Sequence, residues 1–242
     1  MEGENYIVYD VIKSELKDEL FDPLKGVGQD IIELQIDTLL DDGLLKDVPI
    51  VNTVLAVAKL GNGIRERFFL KKIISFLNQL RKDDRSSNGF VQFRTKMEEN
   101  EKYSGAVMEH VMVILDSMKN VDSTVSFSKA FKAHVDGYLT WNEFVRMTNF
   151  IDQYLYLDIE FLRMIHNIGK YDERQSDKAY SHENNHSIMD SQTVRLVHLG
   201  FLNQQIFYNF SYGKAAAEMS YSLTKYGLKF MHVMQDTYKW ED

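Results

Sequence analysis

The chain has 242 residues, 44% of them hydrophobic and 12% aromatic, with only 2 prolines against 26% charged residues; this is enough to bury one large core or two small ones and disfavours a sandwich or barrel of many short strands. With no cysteine, it has no disulfide framework, thiolate metal site or cysteine nucleophile. Its net charge of −8 opposes phosphate backbones over the molecule as a whole and leaves nucleic-acid binding to a local basic face.

The opening MEGENYIVYDVIKSE carries acids where a secretory signal needs a basic region ahead of an unbroken apolar run, so a cytoplasmic location is expected. Residues 1–47 hold 13 acidic and 4 basic side chains, and residues 59–85 hold 8 basic and 3 acidic. The simplest expectation is that these segments are helices that pack side by side and partly neutralise each other. Ile31, Ile32, Leu34, Ile36, Leu39 and Leu40 recur at three- and four-residue spacings and predict a helix over 30–40, with Gly43 as its stop. Asp47 can cap the next helix and Pro49 suits its first turn, where the missing amide has no intrahelical partner anyway. The apolar run 48–60 is interrupted by Pro49, Asn52, Thr53 and Lys59 and is too short to span a membrane.

Over residues 64–80, Phe68, Phe69, Ile73, Phe76, Leu77 and Leu80 line one side of a helix while Arg65, Arg67, Lys71 and Lys72 crowd the other. With Arg81 and Lys82 these form a candidate basic surface, suited to nucleic-acid phosphates or to an anionic membrane surface. Polar residues 81–89 end this unit. Helices are then expected over 101–119, through 127–131, from Trp141, where Thr140 and Glu143 have the spacing of a capping box, and from Asp158. Residues 136–144 resemble the last part of a calcium-binding loop, with Gly137 at the turn and Glu143 at the final ligand position. Lys132 and His134 fall where its first ligands belong, so the capping box is the better reading.

Residues 170–190 have almost no apolar side chains and no period of either kind, and they set an expected domain boundary: a helical domain 1–169, a polar linker or loop 170–190, and a C-terminal module 191–242. Within that stretch His182-Glu183-Asn184-Asn185-His186 matches HExxH, which would make His182 and His186 zinc ligands and Glu183 the activator of a bound water. The two central asparagines and the thin apolar face favour a solvated loop instead. The glycine pairs 26/28 and 61/63 lack the further glycine and lysine of a phosphate loop, and no GxSxG elbow occurs. No cofactor is therefore expected and no catalytic residue is singled out.

The C-terminal section reads as helix, hairpin, helix. Residues 193–202, TVRLVHLGFL, followed by residues 221–230, YSLTKYGLKF, resemble the end of a winged-helix module, with a helix closing on leucine-x-x-leucine-glycine-phenylalanine-leucine and a later leucine-threonine-x-x-glycine. Joined to the upstream helical region, this ending is similar to that of uncharacterised bacterial proteins of the abortive-infection alpha type, and the resemblance implies a part in phage defence. Residues 190–242 carry 5 basic and 5 acidic side chains, poor for a wing that must neutralise several phosphates, so a protein partner is expected. The fold class expected is mainly α, a multi-helix bundle followed by a small winged-helix-like α+β module. The function expected is a non-enzymatic protein-interaction module. The alternatives are a nucleic-acid-binding regulator using the basic helix and wing, a peripheral membrane-surface protein, and an HExxH hydrolase.

Overall fold

The structure, a computed structural model, describes residues 2–24, 45, 47–60, 64–81, 87–153, 156–168, 171–172, 186–211 and 214–237. The helix expected over 30–40 and the residues Lys82, His182 and Glu183 lie outside them. The described chain is mainly helical, a bundle followed by a small α+β module, and it divides into two compact units, 1–153 and 154–242.

The first unit contains α1 (Glu2–Phe21), α2 (Pro49–Leu60), α3 (Ile64–Arg81), α4 (Asn88–Glu99), α5 (Glu101–Ser117), α6 (Asp122–Val135) and α7 (Trp141–Gln153). Pro49 is the first residue of α2, where a lost amide costs no helical bond. The helix α4 was not evident from apolar periodicity, and its signals are its caps. The Ser87 hydroxyl accepts from the Phe90 amide at its start, and Asn100 does double duty at its end, donating its own amide to the Lys96 carbonyl while its side chain accepts from the Tyr103 amide to start α5. The expected capping box opens α7: Thr140 donates both its amide (2.9 Å) and its hydroxyl (2.8 Å) to Glu143 Oε2, and its hydroxyl accepts from the Glu143 amide.

The centre of this unit is α3, in which Leu70 and every residue from Lys72 to Leu77 are buried. It packs against α2 on one side and α6 on the other, with α6 in turn against α7. Phe76 stacks on Phe127 at 5.2 Å and meets Phe131 edge-on at 5.3 Å, and Phe144 closes the group at 5.9 Å from Phe131. Lys13 of α1 pairs with Glu109 and Arg65 of α3 pairs with Asp116, so both meet acids of α5.

The second unit contains α8 (Tyr156–Ile168), β1 (Tyr171–Asp172), α9 (His186–His198), β2 (Leu202–Ser211), β3 (Lys214–Leu223) and α10 (Lys225–Met234). Its antiparallel sheet has the order β1-β3-β2, with β2 and β3 in register from Leu202 opposite Leu223 to Ser211 opposite Lys214, and Tyr171 opposite Tyr221. The division between units therefore falls after Gln153 and not within 170–190. The physical reason is that α8 packs on β3 and α10 and buries Phe161, Leu162 and Ile165, so its apolar face belongs to the C-terminal core. Residues 171–172 and 186–190, expected as linker, are strand and helix.

Two helical glycines separate close packing from mere tolerance. A Cβ on Gly89 would lie 2.8 Å from Asp136 Cα and 2.9 Å from its carbonyl oxygen, whereas one on Gly105 would meet nothing within 4 Å. Gly89→Ala is expected to destabilise the first unit by about 1–3 kcal/mol and Gly105→Ala to stabilise it by about 0.5–1 kcal/mol, as read from urea unfolding midpoints.

Candidate functional site

Among the described residues, a group of titratable side chains joins α5, α6 and α7. His134 Nδ1 lies 2.9 Å from the Leu139 carbonyl oxygen and Nε2 lies 2.8 Å from the Tyr103 hydroxyl. A carbonyl only accepts, so Nδ1 carries the proton and Nε2 accepts from Tyr103. His110 Nε2 lies 2.7 Å from Thr148 Oγ1, whose own hydrogen is directed to the carbonyls of Phe144 and Val145 at 3.0 and 3.1 Å, so His110 is the donor. Rings enclose the group: Phe144 stacks on His134 at 5.1 Å, Trp141 lies 5.6 Å from His134 and 5.7 Å from His110, and Phe93 meets His134 edge-on.

Burial in these rings pushes both imidazoles below their usual range; for His134 the Leu139 hydrogen bond opposes this and Lys96 adds to it, and for His110 the neighbouring His134 adds to it. Burial likewise pushes the Tyr103 hydroxyl up to about 12. His134 has committed its proton and its lone pair to internal partners, which leaves neither for a substrate or a metal ion. The group therefore holds three helices together, and sequence reading missed it because its members lie far apart along the chain.

The candidate basic surface is not one surface. Lys72 is a correction: it is 2% exposed, and its ammonium donates to the backbone carbonyls of Asp116 (2.8 Å) and Met118 (3.1 Å) at the C-terminal end of α5, with the Phe68 and Phe69 rings 5.3 and 5.8 Å away. Helix C-terminal carbonyls are unsatisfied and carry partial negative charge, so the buried cation serves as their cap. Burial pushes its pKa down, partly opposed by Asp116. Arg65 and Arg67 are exposed, Arg65 bridging to Asp116 at 2.8 Å, while Lys71 is half-buried. Arg81 is half-buried with its Nη1 enclosed.

Other motifs resolve into local structure. Of the HExxH match only His186 is described, as the first residue of α9, and among the described residues no group of three or more His, Asp or Glu is arranged to hold a metal ion. Gly137, read as a calcium-loop turn, has φ 76° and its amide donates to the His134 carbonyl, ending α6 in the left-handed region. The module's signature residues are equally structural. Gly200, at φ 78°, donates to the Val197 carbonyl, and Phe201 donates to the Leu196 carbonyl, which is the two-bond stop of α9. Thr224 caps α10 by accepting from the Gly227 amide and donates its hydroxyl to the Gly200 carbonyl at 2.7 Å, while its amide donates to the Phe201 carbonyl. A Cβ on Gly227 would lie 2.2 Å from that same Phe201 oxygen.

The strand β2 lies at one edge of the described sheet, and Asn203, Gln204, Gln205 and Ile206 are all exposed. Successive strand residues face opposite sides, so exposed side chains lie on both faces over 203–206. Val194 on α9 is 67% exposed and Ile206 50%. Comparison with protein-family models, with curated proteins and with solved structures gives no match.

Two outcomes follow from the buried cation and the imidazoles. Lys72→Ala, which leaves two carbonyls without their donor, is expected to cost about 2 kcal/mol or more in urea unfolding, and Arg67→Ala less than about 0.5 kcal/mol. The unfolded chain protonates His110 and His134 near pH 6.5 while the folded chain keeps them neutral to lower pH, so stability falls as pH drops below about 6.5. Unfolding midpoints measured from pH 7.5 to about 5 should decline, and less steeply in His110→Gln/His134→Gln.

Proposed function

We propose that the chain is a protein-interaction component whose C-terminal module docks by strand addition, with a second copy of the chain as the occupant of the β2 edge. The observation that carries this reading is the position of β2 at the edge of the described sheet. Edges left open invite pairing and are ordinarily blunted by lysines, prolines or bulges, yet residues 202–211, LNQQIFYNFS, contain no charged residue and no proline. Charge argues for a second copy as the partner. Two chains of net charge −8 repel, but residues 190–242 carry 5 basic and 5 acidic side chains, so two copies can approach through this module without that penalty. A two-fold axis then sets β2 against its own image, each residue meeting the same set of partners.

The burial of Lys72 and the pairing of Arg65 with Asp116 weaken the basic helix as a phosphate-binding face, which leaves protein contact as the reading better supported. The helix, hairpin, helix order agrees with the winged-helix resemblance, and the similarity to abortive-infection alpha proteins suggests phage defence as the setting in which such an assembly acts.

Sedimentation velocity of the full chain from about 1 to about 100 µM should show a reversible monomer–dimer equilibrium. Gln204→Lys/Ile206→Lys, which sets like charges against each other across the axis, should shift it to monomer with the melting temperature unchanged. A chain that stays monomeric throughout, or a dimer indifferent to the two lysines, would overturn the reading.

A further inference from the structure

Of the 11 methionines in the chain, those whose side chains are described are all buried except Met164 and Met219, which are half-buried. Met219 lies on β3 opposite Ile206 of β2, and the pair Gln204 and Tyr221 stands two residues along, so these four side chains share one face of the ladder. Two hydrogen-bond donors converge on the Met219 sulfur: Gln204 Nε2 at 2.9 Å and the Tyr221 hydroxyl at 3.4 Å. A thioether is a weak acceptor, so both donors are poorly matched to the group they meet. An oxygen on that sulfur would be a strong acceptor within their reach.

We propose that Met219 is an oxidation site of the C-terminal module, taking one oxygen from hydrogen peroxide to give a sulfoxide that Gln204 and Tyr221 hold. A sulfur lone pair attacks the peroxide, the S–O bond forms as the O–O bond breaks, and the second oxygen leaves as water; the sulfur loses two electrons and the peroxide gains them. The step needs a lone pair released by its donor. Gln204 is exposed, so its amide can swing aside to admit the peroxide and return to bond the new oxygen, whereas Tyr221 is 3% exposed and keeps its hydroxyl in place. The buried methionines of the two cores react only when their surroundings open. The sulfoxide sets a polar group beside Ile206, which is 50% exposed, so this face of the hairpin registers contact with oxidant while the fold persists. The site does not depend on the pairing of β2 with another chain.

The test is limited treatment of the full chain with hydrogen peroxide, carried out on Met164→Leu at the lowest concentration used for sedimentation and followed by peptide mass mapping and thermal unfolding. Met219 is expected to gain one oxygen at least about tenfold faster than any buried methionine. Met219→Leu in the same background, treated alike, reports the effect of oxygen taken up elsewhere. Relative to that control, oxidation of Met219 should leave the melting temperature unchanged in the parent, yet lower it by about 2–4 °C in Gln204→Ala and, separately, in Tyr221→Phe, each compared with its own untreated form. Oxygen uptake at Met219 no faster than at the buried methionines overturns the proposal. So does an oxidised parent that loses as much stability as the oxidised variants, because Gln204 and Tyr221 would then not hold the sulfoxide.

Discussion

When Phe76 stacks on Phe127 and turns its edge-on contact to Phe131, α3 is fixed against α6 at the middle of the bundle, and much of the first unit follows from that placement. A helix buried on nearly every side has little room for charge, so Lys72, the buried cation of its central turns, needs acceptors inside the protein. It finds them in the last carbonyls of α5. The aromatic group then extends through Phe144 to His134 and Tyr103, whose polar atoms bond to each other. Ring packing joins α3, α6 and α7, and the polar bonds join α5, α6 and α7, so α6 and α7 belong to both.

Helices with a strong apolar period were legible in the sequence. Trp141 begins α7 behind its capping box, and α3 runs from Ile64 to Arg81, because three- and four-residue spacing and side-chain caps are local signals. The helix α4 was missed because its apolar face is sparse, though Ser87 and Asn100 mark both ends. Ownership of α8 could not be read: its period shows that it buries a face, and says nothing of whether that face meets the bundle or β3.

The candidate site was less legible than the fold, for a related reason. Helical spacing put Lys72 on the basic side of α3, but a side between the two extremes of a helix is exposed or buried according to which neighbour lies there. The end of α5 lies there, and the lysine is enclosed. The pair Tyr103 and His134 is separated by 31 positions, a distance over which no local pattern operates. Conversely, the leucine-threonine-x-x-glycine signature was legible as a pattern and its cause became plain only in three dimensions, where Thr224 and Gly227 both close on Phe201.

That closure fastens the hairpin at its base. The strand β2 leaves α9 at Phe201 and β3 enters α10 at Thr224, and one peptide oxygen, that of Phe201, receives the Thr224 amide and fills the place a Gly227 Cβ would take. The ten-rung ladder from Leu202 to Ser211 is thus anchored at its foot by the same peptide oxygen that positions both flanking helices, so the hairpin can be lengthened or shortened by whole pairs of residues while α9 and α10 keep their attachment to it.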